Sequence, residues 1–247
     1  MDPALYGQMR ELEDRHWWFV GRRKIVASWL QSAALPARAR ILDLGCGTGG
    51  NLTMLSKFGD VVGAELDDSA AQLARDRGIA PIIRGELPDT LPFAAESFDC
   101  ISMLDVLEHI PDDANALRAV HDLLAANGKL LLTVPAFPFL WGAHDVAHHH
   151  QRRYRAAPLR ALLQQSRFDI QHLSYCNSWL FPPAVAVRLL RKWLGGNIGT
   201  AGTELALPPA PLNWVLATLF ASERHVLNHG RFPFGVSLIA LASKASS

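Results

Sequence analysis

The chain has 247 residues, of which 49% are apolar and 19% charged, with a formal net charge of +1. That length suits one large α/β domain with additions, and the near-neutral charge excludes a general electrostatic pull toward nucleic acid. Three scattered cysteines, Cys46, Cys100 and Cys176, form no CxxC pair and suit a reducing cytosol better than a disulfide framework.

In chain order, residues 1–15 are mixed polar and acidic, unlike a signal peptide. Residues 3–34 read as helical, with Ile25, Val26, Trp29 and Leu30 on one apolar face and Pro36 ending the segment. Ahead of that face stands His16-Trp17-Trp18-Phe19-Val20-Gly21-Arg22-Arg23. It reads either as core packing or as a lid, residues 1–36, that sets aromatics and an arginine fork over a site. A strand over 41–44 enters a glycine-rich turn. A helix is expected from about Thr48 to a C′ glycine at Gly59. Strand 61–65 follows, then a helix capped by Asp67–Ser69 and stopped at Gly78, then strand 80–84. Strand 98–104 leads through 105–109 to a helix running from about Pro111 to Asn127-Gly128, and strand 130–134 closes on Pro135. Beyond it come a helix opening at Pro158, strands 168–175 and 236–242, and between them an insertion, 177–233, too long for a plain loop. Alternation of this kind predicts a parallel sheet with helices on both faces. Ligands then bind at the strands' carboxyl ends, where Gly45, Glu65, Glu86 and Asp105 fall.

The glycine turn admits two readings. Gly45, Gly47 and Gly50 satisfy the G-x-G-x-x-G spacing of a dinucleotide site. Asp43, Gly45, Gly47 and Gly49 satisfy D-x-G-x-G-x-G, with an acid on the strand. A carboxylate there is awkward beside a pyrophosphate and useful beside an ammonium or a sulfonium-bearing amino acid.

Four stretches in order decide between the readings: Ile41-Leu42-Asp43-Leu44-Gly45-Cys46-Gly47-Thr48-Gly49, Val62-Gly63-Ala64-Glu65, Leu91-Pro92-Phe93 with Ser97-Phe98-Asp99, and Leu104-Asp105-Val106-Leu107-Glu108-His109. Together they resemble a class I S-adenosylmethionine-dependent methyltransferase over residues 40–135. The flanks 16–23 and 150–154 are similar to a bacterial branch of that family. The resemblance implies a Rossmann-like seven-stranded, mostly parallel sheet of order 3-2-1-4-5-7-6, with strand seven antiparallel. Residues 37–176 and 234–247 would form this core, with the N-terminal helical lid before it and the helical insertion between its last two strands. It further implies S-adenosylmethionine as cofactor. Asp43 and the backbone of Gly45, Cys46, Gly47 and Gly49 would hold the methionine portion. Glu65, with Leu66 beside it, would take the ribose hydroxyls; this chain has Glu where the family more often has Asp. Glu86 and the Leu87 amide would bracket the adenine, although the gap from Glu86 to Leu91 is one residue longer than the family's pattern. Leu104 and Asp105 would line the methionine side, with Trp18 and Arg23 from the lid.

Methyl transfer from a sulfonium is an in-line displacement whose rate depends largely on alignment and dehydration. Aromatic faces suit the sulfonium, and Trp18 and Trp141 are candidates. The polar run from Trp141 to Tyr154 offers His144, Asp145, His150 and Tyr154 as base or orienting residues, and Arg152 or Arg153 as a grip for an anionic substrate. His109 reads as a helix-start histidine bonded to backbone. His144 and His148 have the i, i+4 spacing of two metal ligands, but no HExxH accompanies them, and no metal is expected. The insertion is expected to be a cap over the substrate pocket or a homodimer surface. The sharper alternative is a basic amphipathic patch over 178–196, without an acid, that rests on the inner face of a membrane to meet a lipid-like acceptor. The expected protein is a cytoplasmic methyltransferase of a small or lipid-like molecule. The alternative is a non-catalytic S-adenosylmethionine-binding regulatory or scaffold protein of the same fold.

Overall fold

The computed structural model describes residues 3–88, 91–193 and 206–245. Two helices, α1 (Pro3–Leu12) and α2 (Trp17–Ser32), precede a seven-stranded sheet of order β3-β2-β1-β4-β5-β7-β6. Its strands are β1 (Ala39–Leu44), β2 (Gly59–Glu65), β3 (Ile82–Arg84), β4 (Phe98–Leu104), β5 (Leu124–Pro135), β6 (Phe168–Cys176) and β7 (Ser237–Lys244). Strands β1 to β5 pair in parallel, and β7 runs antiparallel to both β5 and β6. The expected order and the antiparallel strand both hold.

Successive strand residues point to opposite faces, so the apolar strands feed two cores. Leu42, Ile101, Leu130 and Leu132 meet α5 (Asp113–Leu123) and α7 (Ala156–Gln165) through Leu117, Val120, Leu159 and Leu163. Ile41, Cys100, Leu131 and Ile239 meet the other face, where Ile25, Val26, Trp29 and Leu30 of α2 lie buried beside Phe220 of α9 (Ala210–Leu227). The apolar stripe of α2 is therefore core, and only its N-terminal part, Trp17 to Arg22, reaches the site. Gly21 belongs to this contact: a Cβ there would lie 2.6 Å from the Phe220 ring, so α9 could not approach α2 as closely. Asn213 completes the clasp, accepting from the Trp17 amide at 2.8 Å and donating to the Arg15 carbonyl at 2.9 Å.

Three element boundaries differ from expectation. The helix after the glycine turn, α3 (Leu52–Leu55), is a single turn, and Gly59 caps nothing; it begins β2, paired with Ala39. Helix α5 ends at Leu123 because Leu124 turns extended and pairs with Phe98, so Asn127-Gly128 sits within β5 as an irregularity. Helix α7 starts two residues before Pro158, which still falls in the first turn, where a missing N–H costs nothing. The remaining helices are α4 (Asp68–Arg75), α6 (Ala143–Ala147) and α8 (Phe181–Trp193), with 3-10 turns at Leu107–His109 and Pro138–Leu140. No described helix is long and apolar enough to cross a membrane.

Candidate active site

A cavity of about 1190 Å3 opens at the carboxyl ends of β1, β2, β4 and β5. Ligand pockets commonly run to roughly 300–1,000 Å3, so this one has room for a cofactor and an acceptor together.

Its first half is built by turn chemistry. Gly47 has φ +55°, and nothing lies within 4 Å of where its Cβ would be, so the turn is open to a ligand. The Gly47 amide donates to Glu65 Oε2 at 2.8 Å, while the Leu66 and Asp67 amides donate to Oε1 at 2.9 and 3.0 Å. Glu65 is thus pinned at the mouth of the turn, with acceptor capacity left on Oε2. Gly45, Cys46, Leu66, Glu86, Leu87, Leu104 and Asp105 all line the cavity, joined by Tyr6, Met9 and Glu13 of the N-terminal helices. Three expected residues do not line it: Gly49, Asp43 and, from α2, Arg23. Gly49 faces α4, where a Cβ would stand 3.2 Å from the Ala74 Cα, so it serves loop packing. Asp43 is buried on β1 beneath the turn, its Oδ1 accepting from the Ser102 hydroxyl at 2.6 Å and its Oδ2 without a partner. Burial pushes the Asp43 carboxyl up to about 7.

Of the two arginines, Arg22 rather than Arg23 reaches the cavity. Arg22 lines the cavity, ion-pairs with Asp105 and lies over the Trp18 ring at 4.4 Å. Its buried Nε has no partner. Asp105 is held in a left-handed conformation, φ +60°, and accepts from the Thr133 hydroxyl at 3.2 Å. Arg23 instead turns back to the Glu13 carbonyl at 2.7 Å and does not line the cavity. Glu13 stands in no recognisable motif, yet its carboxylate joins Thr48 and Arg77 and so ties the turn between α1 and α2 to the glycine turn.

The second half is a wall of imidazoles, His109, His144, His148 and His150, under Leu180, Pro183, Ala184 and Val187 of the insertion. Burial, reinforced by neighbouring imidazoles, pulls His109 and His144 down to about 4 and His148 to about 3, so all three are neutral. Asp145 lies behind the wall, fully buried and outside the cavity lining. It accepts from Arg153 Nε at 2.7 Å and Nη2 at 3.0 Å, from the Gly142 amide at 2.8 Å, and meets His150 Nδ1 at 2.9 Å. Burial works against its charge, but these bonds prevail and hold the carboxyl well below its ordinary range. Asp145 therefore holds Arg153 and His150 in place and does not itself meet the cavity.

Tyr154 is misplaced as a base: its hydroxyl donates to Asp113 at 2.9 Å, and it too lies outside the lining. Arg152 pairs with Asp113 and Arg153 with Asp145, so neither is spare for an anion. Trp141 lies outside the cavity, 44% exposed. His109 does bond backbone, that of His149, yet it also faces the cavity. The only trace of this in sequence was its place directly after β4.

The residues present fit S-adenosylmethionine: an open glycine turn, a pinned acid at the end of β2 and an unpartnered guanidinium nitrogen for a carboxylate. Among protein families, the one described as "Methyltransferase domain" matches residues 19–173. The chain is 30% identical over 158 residues to "Ubiquinone biosynthesis O-methyltransferase" of Xanthomonas axonopodis pv. citri, covering 56% of this chain and 66% of that protein. The namesake from Pseudomonas aeruginosa strain UCBPP-PA14 is also 30% identical, over 43% of this chain and 48% of its own. The match thus spans less than two thirds of these relatives. Among solved structures, a chain of the Haloferax volcanii complex between the Trm112 methyltransferase activator and a methyltransferase superposes with TM-score 0.63 at 18% identity, covering 99% and 96% of the two chains. Haemonchus contortus phosphoethanolamine N-methyltransferase 2, in complex with S-adenosyl-L-methionine, gives 0.59 at 17%, covering 90% and 52%. These structural likenesses speak for the fold. The family match takes in more than half of the chain and covers the glycine turn, the β2 acid and the 104–109 segment, and the protein belongs to the class I S-adenosylmethionine-dependent methyltransferases.

Proposed function

We propose that the protein transfers a methyl group from S-adenosylmethionine to a hydroxyl of a small, lipid-like acceptor. The observation that carries this is a single cavity with the glycine turn and Glu65 at one end and the imidazole wall at the other. Bound there, the cofactor supplies an already activated methyl group on a sulfonium. Arg22 and Trp18 close over the methionine end, and Glu65 meets the ribose. The acceptor oxygen would form its bond to the methyl carbon as the carbon–sulfur bond breaks, its proton passing to solvent and S-adenosylhomocysteine being left as product. Neutral imidazoles hydrogen-bond a hydroxyl without presenting a charge to the departing sulfonium, and the apolar roof of α8 excludes water. The relatives named as O-methyltransferases favour oxygen as the acceptor atom.

The insertion supports a lipid-like acceptor. Val187 and Leu190 of α8 and Leu212, Trp214, Val215 and Leu219 of α9 are exposed beside the cavity roof. We read this face as the side that meets an anionic membrane. Residues 194–196 of the basic stretch, and the side chains of Arg191 and Lys192, lie outside the described residues. Co-sedimentation with anionic vesicles tests the contact. A soluble wild type that instead elutes as a dimer through this face overturns it.

Calorimetry with S-adenosylmethionine, followed by transfer of labelled methyl to a panel of phenolic and lipid-like hydroxyl compounds, tests the activity. No binding ends the proposal, and binding without transfer to any acceptor favours a non-catalytic cofactor-binding protein.

A further inference from the structure

Glu108 is fully buried at the acceptor end, and neither carboxylate oxygen has a hydrogen-bond partner. An uncompensated carboxylate in such a place is costly, and one end of it faces two imidazoles. His150 Nε2 lies 4.0 Å from Glu108 Oε1. One ligand-capable atom from each of Glu108, His109 and His150 falls within 4.8 Å of the others, the one such group of three found among the described residues. His150 Nδ1 is already committed to Asp145 at 2.9 Å, and the His109 ring bonds the His149 backbone. Bonds of that kind fix the tautomer and ring orientation of metal-binding histidines. The Gln151 amide donates to the Glu108 carbonyl at 2.8 Å and holds the two segments together. The nearby cations are engaged elsewhere, Arg153 with Asp145 and Arg22 with Asp105.

We propose that Glu108, His109 and His150 bind one divalent transition-metal ion, leaving the cavity side open to water or an acceptor oxygen. Two neutral nitrogens and one carboxylate match a three-ligand open site and favour zinc-like or cobalt-like ions over calcium or magnesium, which prefer all-oxygen shells. The site goes beyond the methyl-transfer reading and bears on it. An acceptor hydroxyl held on the ion would ionise far more readily than a free one.

The test uses the full chain without a histidine tag, stripped with a chelator and titrated with Co2+ and with Zn2+ in the absence of cofactor. Visible absorbance and calorimetry should show one ion per chain. Glu108→Gln and His109→Gln should each weaken binding about 100-fold or more, while His144→Ala leaves it nearly unchanged. Circular dichroism checks that each variant is folded. Should one fail to fold, the Co2+ spectrum of the wild type decides: intense low-coordination bands support the site, and an aquo-like spectrum overturns it. Absence of binding by folded wild type, binding that survives both ligand substitutions, or binding lost only with His144→Ala also overturns it. Because S-adenosylmethionine binding is measured separately, failure of either proposal is seen independently of the other.

Discussion

The two halves of the cavity are made by different means. The cofactor half is a set of consecutive turns at strand ends: Gly45–Gly47 after β1, Glu65–Asp67 after β2, and Leu104–Asp105 after β4. Each places its ligand groups through its own backbone, as when three amides of those turns fix Glu65. The acceptor half is assembled from afar. Its wall joins His109 to His150 across forty residues of chain, and its roof is α8, rooted by Glu223 of α9. A site built locally tolerates change elsewhere; one built from distant segments depends on the bonds that gather them. Substitutions can separate the halves.

The largest separation is expected at the imidazole wall. His144→Phe and His148→Phe keep the ring shapes of a pair stacked at 4.1 Å but remove its polar edges. Misplacing a reacting hydroxyl costs roughly 100-fold in rate, so methyl transfer should fall by about that factor while affinity for S-adenosylmethionine stays unchanged. Stopped-assay kinetics and calorimetry on the same preparations check both numbers. A parallel loss of cofactor affinity would mean that the two halves are not separable.

A smaller effect is expected at the lid. Arg22→Met removes the charge that faces the methionine end, and a charge-assisted bond is worth about 1.5–3 kcal/mol, or roughly 10- to 100-fold in cofactor affinity. Arg23→Met, which loses only bonds to the Glu13 and Gly50 carbonyls, should leave affinity within a small factor. Equal losses in the two variants would show that the lid acts through helix stability rather than through one guanidinium.

This contrast also explains what could be read from the residues alone. The strand–helix alternation, the glycine turn and the strand-end places of Glu65 and Asp105 were legible because each rests on spacing within one turn or one strand–helix unit, whereas the order of the strands followed only from the family resemblance. Arg22 was confused with Arg23 because adjacent residues on a helix point about 100° apart, and nothing local says which side meets the site. Tyr154 and Asp145 had the right chemistry in the right segment, but their partners Asp113 and Arg153 turn them away from the cavity. Gly49 matched a ligand motif yet spaces the turn from α4. Glu108 drew no attention as a ligand, since its significance depends on His150 arriving beside it.

The smallest effect should appear in stability and concerns Glu223. This carboxylate is buried where α9 meets the start of the insertion and accepts from the Ser178 and Trp179 amides, but its Oε2 has no partner. Burial outweighs those bonds and pushes it up to about 7 from an ordinary 4.5. The sign follows: the folded state holds a proton that the unfolded state has already released, so the stability present below about pH 4.5 is lost as pH rises through about 7. The loss is at most on the order of 3 kcal/mol. Glu223→Gln keeps an oxygen for the same amides and cannot ionise. Relative to wild type, its Tm should therefore be similar or lower in acid and should gain as pH is raised past about 7. Asp43, also raised to about 7, contributes equally to both proteins and cancels in the difference. A difference in Tm that stays flat between about pH 5 and pH 8.5 would mean that Glu223 does not titrate in this window. The insertion would then be anchored to α9 without a pH-dependent cost.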